Sequence, residues 1–389
     1  MHVDGDNKKK VVLLANIWQR IGGLESVNMD IAHAFKSNGW QVEVLSVYGT
    51  NDDHGSSDYK IVSLCPKNRY FRYLWNRLFW KIVVSWYVRR NLADGDLLIF
   101  GHAHLLPVLS YFPLKSKFKK LIWVHGIEVW GSQAIRWIPF LNKLDQIVAV
   151  SSFTALQIKH AGLLRPVSII PNSVDTNLFT PSNTPEKIRR TEVLICGRMA
   201  KSEGYKGHRI LFESIPIAEA ILGRQIRVRV IGTGDDQQHL KEFVKQIGIT
   251  DRVIFTGRVS EKELLEAYQH CGVFCMPSYV TRPKKEYWTG EGFGIVYIEA
   301  SACGRPVIAS KDGGASETII SGITGLLVDP LSPADVAKAI AEIISDTVRA
   351  DEMGKQGRLL TESRFSKDKF RLNVNELTLN IAIKAKITY

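Results

Sequence analysis

Short apolar runs alternate with helix-length amphipathic stretches through the first 170 residues of this chain, stop, and begin again near Thr191. "KKVVLLAN", "QVEVLSV", "GDLLIFGHA", "KLIWVHG", "QIVAVSS" and "VSIIPNS" read as buried strands of the first set. "TEVLICGRM", "IRVRVIGTG", "RVIFTG", "GVFCMPS", "PVIAS" and "TGLLVD" read as those of the second. Strands that are apolar throughout and separated by crossover helices lie parallel, in a sheet covered on both faces. The pattern therefore predicts an α/β chain of two doubly wound parallel-sheet domains. Between them, 172–190 is rich in Pro, Asn, Ser and Thr and has no apolar period, which marks a linker. A length of 389 residues suits two cores better than one.

Composition matters mainly for what it excludes. A hydrophobic fraction of 45% with 23% charged residues belongs to a soluble globular chain. No apolar run reaches the roughly 18 residues of a membrane span. The charged N-terminus leads into a strand without a signal-peptide core, so the expected location is the cytoplasm. Cys65, Cys196, Cys271, Cys275 and Cys303 lie mostly in apolar segments and read as buried free thiols. The spacing in "CGVFC" does not suit a zinc knuckle, and no Asp-x-Asp metal motif stands out.

The net charge of +12 is concentrated between Lys60 and Lys120, where twelve basic residues face two acidic ones. Within that stretch Phe71, Trp75, Leu78, Phe79, Ile82 and Trp86 recur at helical spacing and read as a core face. A second stripe of Tyr73, Arg77, Trp80, Val84 and Tyr87, with Lys81 alongside, mixes aromatic and cationic groups. Such a surface suits an anionic membrane face or the diphosphate and first sugar of a lipid-linked acceptor. Nothing in the chain resembles a nucleic-acid reading module.

The run Glu291 to Glu299 sets two carboxylates across a glycine-flanked helix start at about Gly294. The first amides of such a helix are unpaired donors at the positive end of its dipole, which suits a diphosphate. At about 1.5 Å per residue the carboxylates lie up to roughly 12 Å apart, so that one acid can grip each end of a nucleotide sugar.

The string "EGFGIVYIEASACGRPVIAS" resembles the Glu, seven residues, Glu motif of retaining glycosyltransferases of family 4. Further motifs in the family's order extend the resemblance over most of the chain. The resemblance implies a GT-B fold, two Rossmann-like domains facing across a cleft: 1–172 for the acceptor, 173–365 for the nucleotide sugar with 173–190 as linker, and a helix in 366–389 crossing back to the first. It implies that Gly22 and Gly23 come close to the donor phosphates or the acceptor, and that His125 in "WVHGIEVW" lies beside the donor sugar. Arg198 and Lys206 in "CGRMAKSEGYKGH" resemble the paired cations that hold the donor diphosphate in place of a metal. Two fixed cations would stabilise the charge that grows on the leaving group. Glu291 would bind the sugar hydroxyls and Glu299 the ribose. Phe293, Gly294 and Ile295 would offer backbone to the diphosphate. Gly232, Arg258 and Val259 lie in loops resembling the nucleotide side. "IIPNSVDTNLF" resembles the interdomain hinge, with Asn172 and Asp175 organising the turn through side-chain to backbone bonds. His102 and His104 are candidate acceptor contacts, and 280–290 is a candidate lid over the donor sugar or a further acceptor contact.

The expected activity is retaining transfer of a hexose, with GDP-mannose the favoured donor, to a lipid-linked saccharide destined for a surface polysaccharide or lipopolysaccharide. No cofactor or metal is expected. Arg77, Trp80, Lys81 and Tyr87 are the candidate acceptor or membrane surface, which would make the protein peripheral on the cytoplasmic face. Alternatives are a nucleotide-sugar 2-epimerase on the same scaffold and a non-catalytic nucleotide-sugar-binding subunit. A nicotinamide dehydrogenase is disfavoured, because "ANIWQRIGG" follows the first strand where a Gly-x-Gly-x-x-Gly turn should be.

Overall fold

The computed structural model describes residues 9–18, 22–48, 59–64, 79–112, 116–184, 188–283 and 287–387. The chain divides into two units, 1–171 with 370–389, and 172–369.

Among the described residues, unit 1 is built on seven parallel strands: β1 (Lys10–Ala15), β2 (Gln41–Ser46), β3 (Lys60–Ser63), β4 (Leu97–Phe100), β5 (Lys119–Val124), β6 (Gln146–Ala149) and β7 (Val167–Ile169). Their order is β3-β2-β1-β4-β5-β6-β7. The helices are α1 (Gly23–Ser37), α2 (Trp80–Asn91), α3 (Gly131–Leu141) and α4 (Ser152–His160). The strand β3 was not legible in the sequence, because "KIVS" is only four residues long and half-exposed at the sheet edge. Val11 to Ala15 and Leu97 to Phe100 are nearly inaccessible to water, as both sheet faces are covered.

Unit 2 repeats the plan with β8 (Arg189–Cys196), β9 (Arg227–Ile231), β10 (Val253–Gly257), β11 (Cys271–Met276), β12 (Val307–Ser310) and β13 (Gly325–Val328), ordered β10-β9-β8-β11-β12-β13. Its helices are α5 (His208–Leu222), α6 (Gln237–Gln246), α7 (Glu261–His270), α8 (Ile295–Ala302), α9 (Pro333–Ser345) and α10 (Thr347–Arg364). A last helix, α11 (Lys367–Ile387), belongs to unit 1 from residue 370. Through the sixth strand both sheets follow one order, in which the chain reverses direction between the first and fourth strands. Open α/β sheets place ligands outside the strand C-termini at that reversal. In unit 2 it lies between β8 and β11.

Before β8, the Asp175 carboxylate accepts the N–H groups of Asn177 and Leu178 and an ion pair from Lys367 at 3.1 Å. The buried Asn172 Oδ1 has no partner among the described residues.

The basic-aromatic segment needs a correction. Trp80 is 2% exposed and Val84 fully buried, whereas Phe79, Ile82 and Trp86, expected in the core, stand in solvent, Trp86 at 59%. The inward face of α2 is Trp80, Val84 and Val88, with Ser85 Oγ donating to the Tyr111 carbonyl at 2.8 Å. Both faces carry aromatic residues, so periodicity identified the helix without saying which side turns in. Tyr87 is half-buried, donates its hydroxyl to Glu43 and accepts from Lys60 Nζ at 3.2 Å. Lys81 lies over the Trp80 ring, 6.0 Å from its centroid. Arg77, with Phe71, Tyr73, Trp75 and Leu78, lies outside the described residues, as does Cys65.

Candidate functional site

The C-terminal end of β8 is where most of the motif residues of unit 2 gather. After Cys196 the chain turns through Gly197 and Arg198 into a 3-10 turn, Lys201–Lys206, that delivers Lys206. Lys206 Nζ lies 3.4 Å from Glu291 Oε2 and 3.8 Å from Glu203 Oε2, and Arg198 pairs with the other oxygen of Glu203. Burial alone would lower the Lys206 pKa, but Glu291, Tyr205 and Glu203 override it and hold the ammonium firmly charged. Arg198 is 76% exposed on its side chain, so its guanidinium remains accessible beyond the pair. The result is a row of alternating charge, Glu291, Lys206, Glu203 and Arg198. The sequence motif does not point to Glu203 beyond its i, i+3 spacing from Lys206, and the tight turn makes it the partner the two cations share.

Glu291 is fixed from the other side. Its backbone carbonyl accepts the Gly314 N–H at 3.0 Å, and a Cβ at Gly314 would lie 1.9 Å from the Gly292 carbonyl oxygen. Two residues on, Gly294 caps α8 at φ +88°, a conformation that a side chain resists. A Cβ there would also strike the Tyr297 ring at 2.3 Å. Tyr297 is itself tied to the end of β11, its hydroxyl donating to the Met276 carbonyl at 2.8 Å. Phe293 is buried with its ring edge-on to Phe365, so only its backbone remains for a ligand. Ile295, the first residue of α8, is half-exposed.

Glu299 lies inside α8 in a different setting. Its carboxylate accepts a 2.8 Å hydrogen bond from the Tyr268 hydroxyl. Burial pushes its pKa up to about 7, against the lowering effect of that bond. Cys196 lies against the same pair, and burial with the Glu299 charge pushes its thiol to about 12. Tyr268 gets there by local design. Ser260 and Glu263 form a reciprocal capping box that starts α7, and Tyr268 closes its last turn among Phe179 and Phe274. Nothing near Glu299 in sequence points to Tyr268.

Gly232 follows β9 at φ +131°, and a Cβ on it would meet the Gly197 carbonyl oxygen at 2.1 Å, so the loops after β8 and β9 touch backbone to backbone. Arg258 and Val259 follow β10 and line a cavity of about 310 Å3 with Ile231 and Thr256. Arg198, Lys206, Glu291 and Glu299 do not line it. In the 280–290 segment Thr281 and Thr289 pair as an isolated bridge with their hydroxyls 2.7 Å apart, and Arg282 grips Asp312. Residues 284–286 lie outside the description.

In unit 1 the corresponding strand ends hold His125. Its Nε2 lies 3.2 Å from the Gly101 carbonyl oxygen, which can only accept, so in the neutral ring Nε2 carries the proton and Nδ1 is the acceptor. The His125 backbone N–H donates to Glu128. Burial lowers its pKa despite the nearby carboxylates of Glu128 and Glu25, and keeps the ring neutral. Glu25 stands in the first turn of α1, just after Gly22 and Gly23, which are both exposed with room around Gly23. His102 packs on His104 at 4.5 Å, and burial drops its pKa to about 4.

Among the described residues, no group of three or more His, Cys, Asp or Glu side chains gathers as a metal site, and no helix is long and apolar enough to cross a membrane.

Two family descriptions match the chain: "Glycosyltransferase Family 4" over residues 21–178 and "Glycosyl transferases group 1" over 182–360. A curated relative, the GDP-mannose-dependent alpha-(1-6)-phosphatidylinositol monomannoside mannosyltransferase of Mycobacterium tuberculosis, is 32% identical over 287 residues, 70% of this chain and 73% of the relative. Among solved structures, sucrose-phosphate synthase from Thermosynechococcus elongatus superposes with a TM-score of 0.76 at 21% identity, over 97% of this chain and all of that one. The Anabaena protein HepE, solved in complex with UDP, gives 0.75 at 20%, over 95% of this chain and all of that one. At that identity the structures speak for the fold alone, and the fold is GT-B.

Proposed function

The chain belongs to glycosyltransferase family 4, and from that membership we propose that it moves a hexose, with retention, from a nucleoside diphosphate to a lipid-linked saccharide. GDP-mannose is the proposed donor and a glycosylated phospholipid the proposed acceptor class, in keeping with the activity for which the mycobacterial relative is named. The observation that carries the reading is Lys206, held charged between Glu291 and Glu203 beside Arg198 at the end of β8.

In this reading the diphosphate lies on Arg198, Lys206 and the backbone around Gly294. When it binds, the phosphate oxygens take over the cations, and Glu291 is released toward the sugar hydroxyls. Glu299 takes the ribose hydroxyls. Gly232, Arg258 and Val259 serve the nucleotide side, while Gly22, Gly23 and His125 in unit 1 serve the sugar and acceptor. The bond from the anomeric carbon to the β-phosphate oxygen breaks, and the acceptor oxygen bonds to that carbon on the same face. The acceptor proton passes to the leaving phosphate. Fixed cations supply the electrostatic stabilisation, so no metal is required.

The membrane-facing surface is proposed as Phe79, Ile82 and Trp86 with Arg89 and Arg90, where Arg90 stacks over Trp86 at 5.4 Å. Apolar rings flanked by guanidinium groups suit an anionic headgroup layer. The 2-epimerase alternative gains no support from the relatives, which are named as transferases.

The test is transfer from GDP-mannose, UDP-glucose or dTDP-glucose to phosphatidylinositol monomannoside in anionic vesicles, with the product anomer read by NMR. An α-mannoside from GDP-mannose is expected. An inverted product would remove the retaining mechanism, and nucleotide release without transfer to any acceptor would remove the transferase reading.

A further inference from the structure

Arg305, just ahead of β12, is 7% exposed, and its Nε and Nη1 have no hydrogen-bond partner among the described residues. A buried guanidinium with unanswered N–H groups is costly, and native folds rarely leave one without an ion, water or ligand to meet it. Arg305 lines a cavity of about 460 Å3, in the size range of small-ligand sites, together with Arg190, Asp351, Lys355 and Arg358.

The charges around this cavity do not balance. Arg190 is matched by both oxygens of Asp351. Arg358 donates to the carbonyls of Thr176, Phe179 and Ala302 and to the Glu362 carboxylate. Among the described residues Lys355 pairs only with Glu352, at 4.0 Å, and both side chains are largely in solvent. Arg305 and Lys355 thus both line the cavity, Arg305 with no ion pair among the described residues and Lys355 with only a long one. Burial pushes the Arg305 pKa down, with Cys271 and Asp351 only partly opposing it. The remaining walls include Ile188 and the exposed Leu359, which are apolar. Arg190 lies at the start of β8, and Gly304 and Arg305 precede β12. The cavity therefore opens at the N-terminal edge of the unit 2 sheet, the edge opposite Arg198, Lys206 and Glu291.

We propose that this cavity is a second anion site, which takes a phosphate monoester with an apolar body, its phosphate answering Arg305 and Lys355 and its body lying on Leu359 and Ile188. It is separate from the donor site, and occupancy would brace α10 against the start of β8 and β12.

The experiment is isothermal titration of the full chain with inorganic phosphate and with phenyl phosphate, at fixed ionic strength, with GDP and UDP present in excess to fill the donor site. Saturable binding is expected, at least several-fold tighter for phenyl phosphate. Arg305→Leu should weaken it more than about tenfold, since charge-assisted bonds to phosphate are the strong ones. Lys355→Glu, on an exposed side chain that the fold does not need, should weaken it several-fold and keeps the test alive if Arg305→Leu does not fold. Arg198→Ala should leave it unchanged. Equal affinity for the two probes would overturn the apolar-body assignment. Absence of saturable binding, or unchanged affinity in Lys355→Glu, would overturn the site. Binding by a protein inert toward every nucleotide sugar would still support it.

Discussion

Glu291 stands on a loop with an ammonium 3.4 Å away, while Glu299, eight positions on in the same motif, lies inside α8 with a phenol for a partner and no cation in contact among the described residues. One acid is held in a row of charges, and the other is pushed by burial to a pKa of about 7. The spacing of the motif is a matter of helix geometry, but the surroundings of each acid come from elsewhere in the fold, a 3-10 turn for Glu291 and the end of α7 for Glu299. In the proposed division of labour both acids accept hydrogen bonds from hydroxyls, Glu291 from the sugar beside the cations and Glu299 from the ribose in its ionised form.

The contrast can be broken most forcefully at its charged end. Glu291→Gln should cut transfer by roughly 100-fold or more, with circular dichroism and melting behaviour close to native. Full activity would remove Glu291 from the reaction. Lys206→Ala leaves Glu291 and Glu203 with no shared cation, and chemical denaturation should show a loss of about 3 kcal/mol, together with loss of nucleotide binding. Arg198→Ala, on an exposed side chain, should change stability little but weaken nucleoside diphosphate affinity by roughly tenfold to 100-fold, read by calorimetry.

The Glu299 end gives smaller and pH-dependent effects. The folded-state pKa of Glu299, about 7, lies above its ordinary value of 4.5. Its favourable contribution is therefore complete below pH 4.5 and is lost as pH rises through 7. Glu299→Gln should then be more stable than the native chain at pH 8, by on the order of 2 kcal/mol, with the difference vanishing toward pH 4.5. A pH-independent difference would mean that burial does not control this acid. Tyr268→Phe removes the bond that lowers the Glu299 pKa and should cost about 1 kcal/mol, while moving the pH dependence of donor affinity upward.

Alternating apolar runs identified the strands of both sheets apart from β3, because a doubly covered parallel strand announces itself locally. The motif residues Glu291, Lys206 and Arg198 were likewise legible, and the structure places them in one row with Glu203. What sequence could not supply depended on a choice between faces or on distant partners. The two stripes of α2 are both aromatic, so their burial was assigned the wrong way round. Tyr268 meets Glu299 across 31 residues. The orphaned Arg305 becomes visible only once α10 packs beside it.

The backbone contacts at Gly197–Gly232 and Gly292–Gly314 leave no room for a methyl group between neighbouring loops. Loop length and loop shape in unit 2 are therefore locked together, and an insertion in one turn would have to be matched in the next. Efforts to retarget the proposed donor site to another nucleotide should leave the turns intact and vary only the side chains they carry, such as Arg258 and Val259. Libraries that randomise the glycines would return mostly unfolded protein.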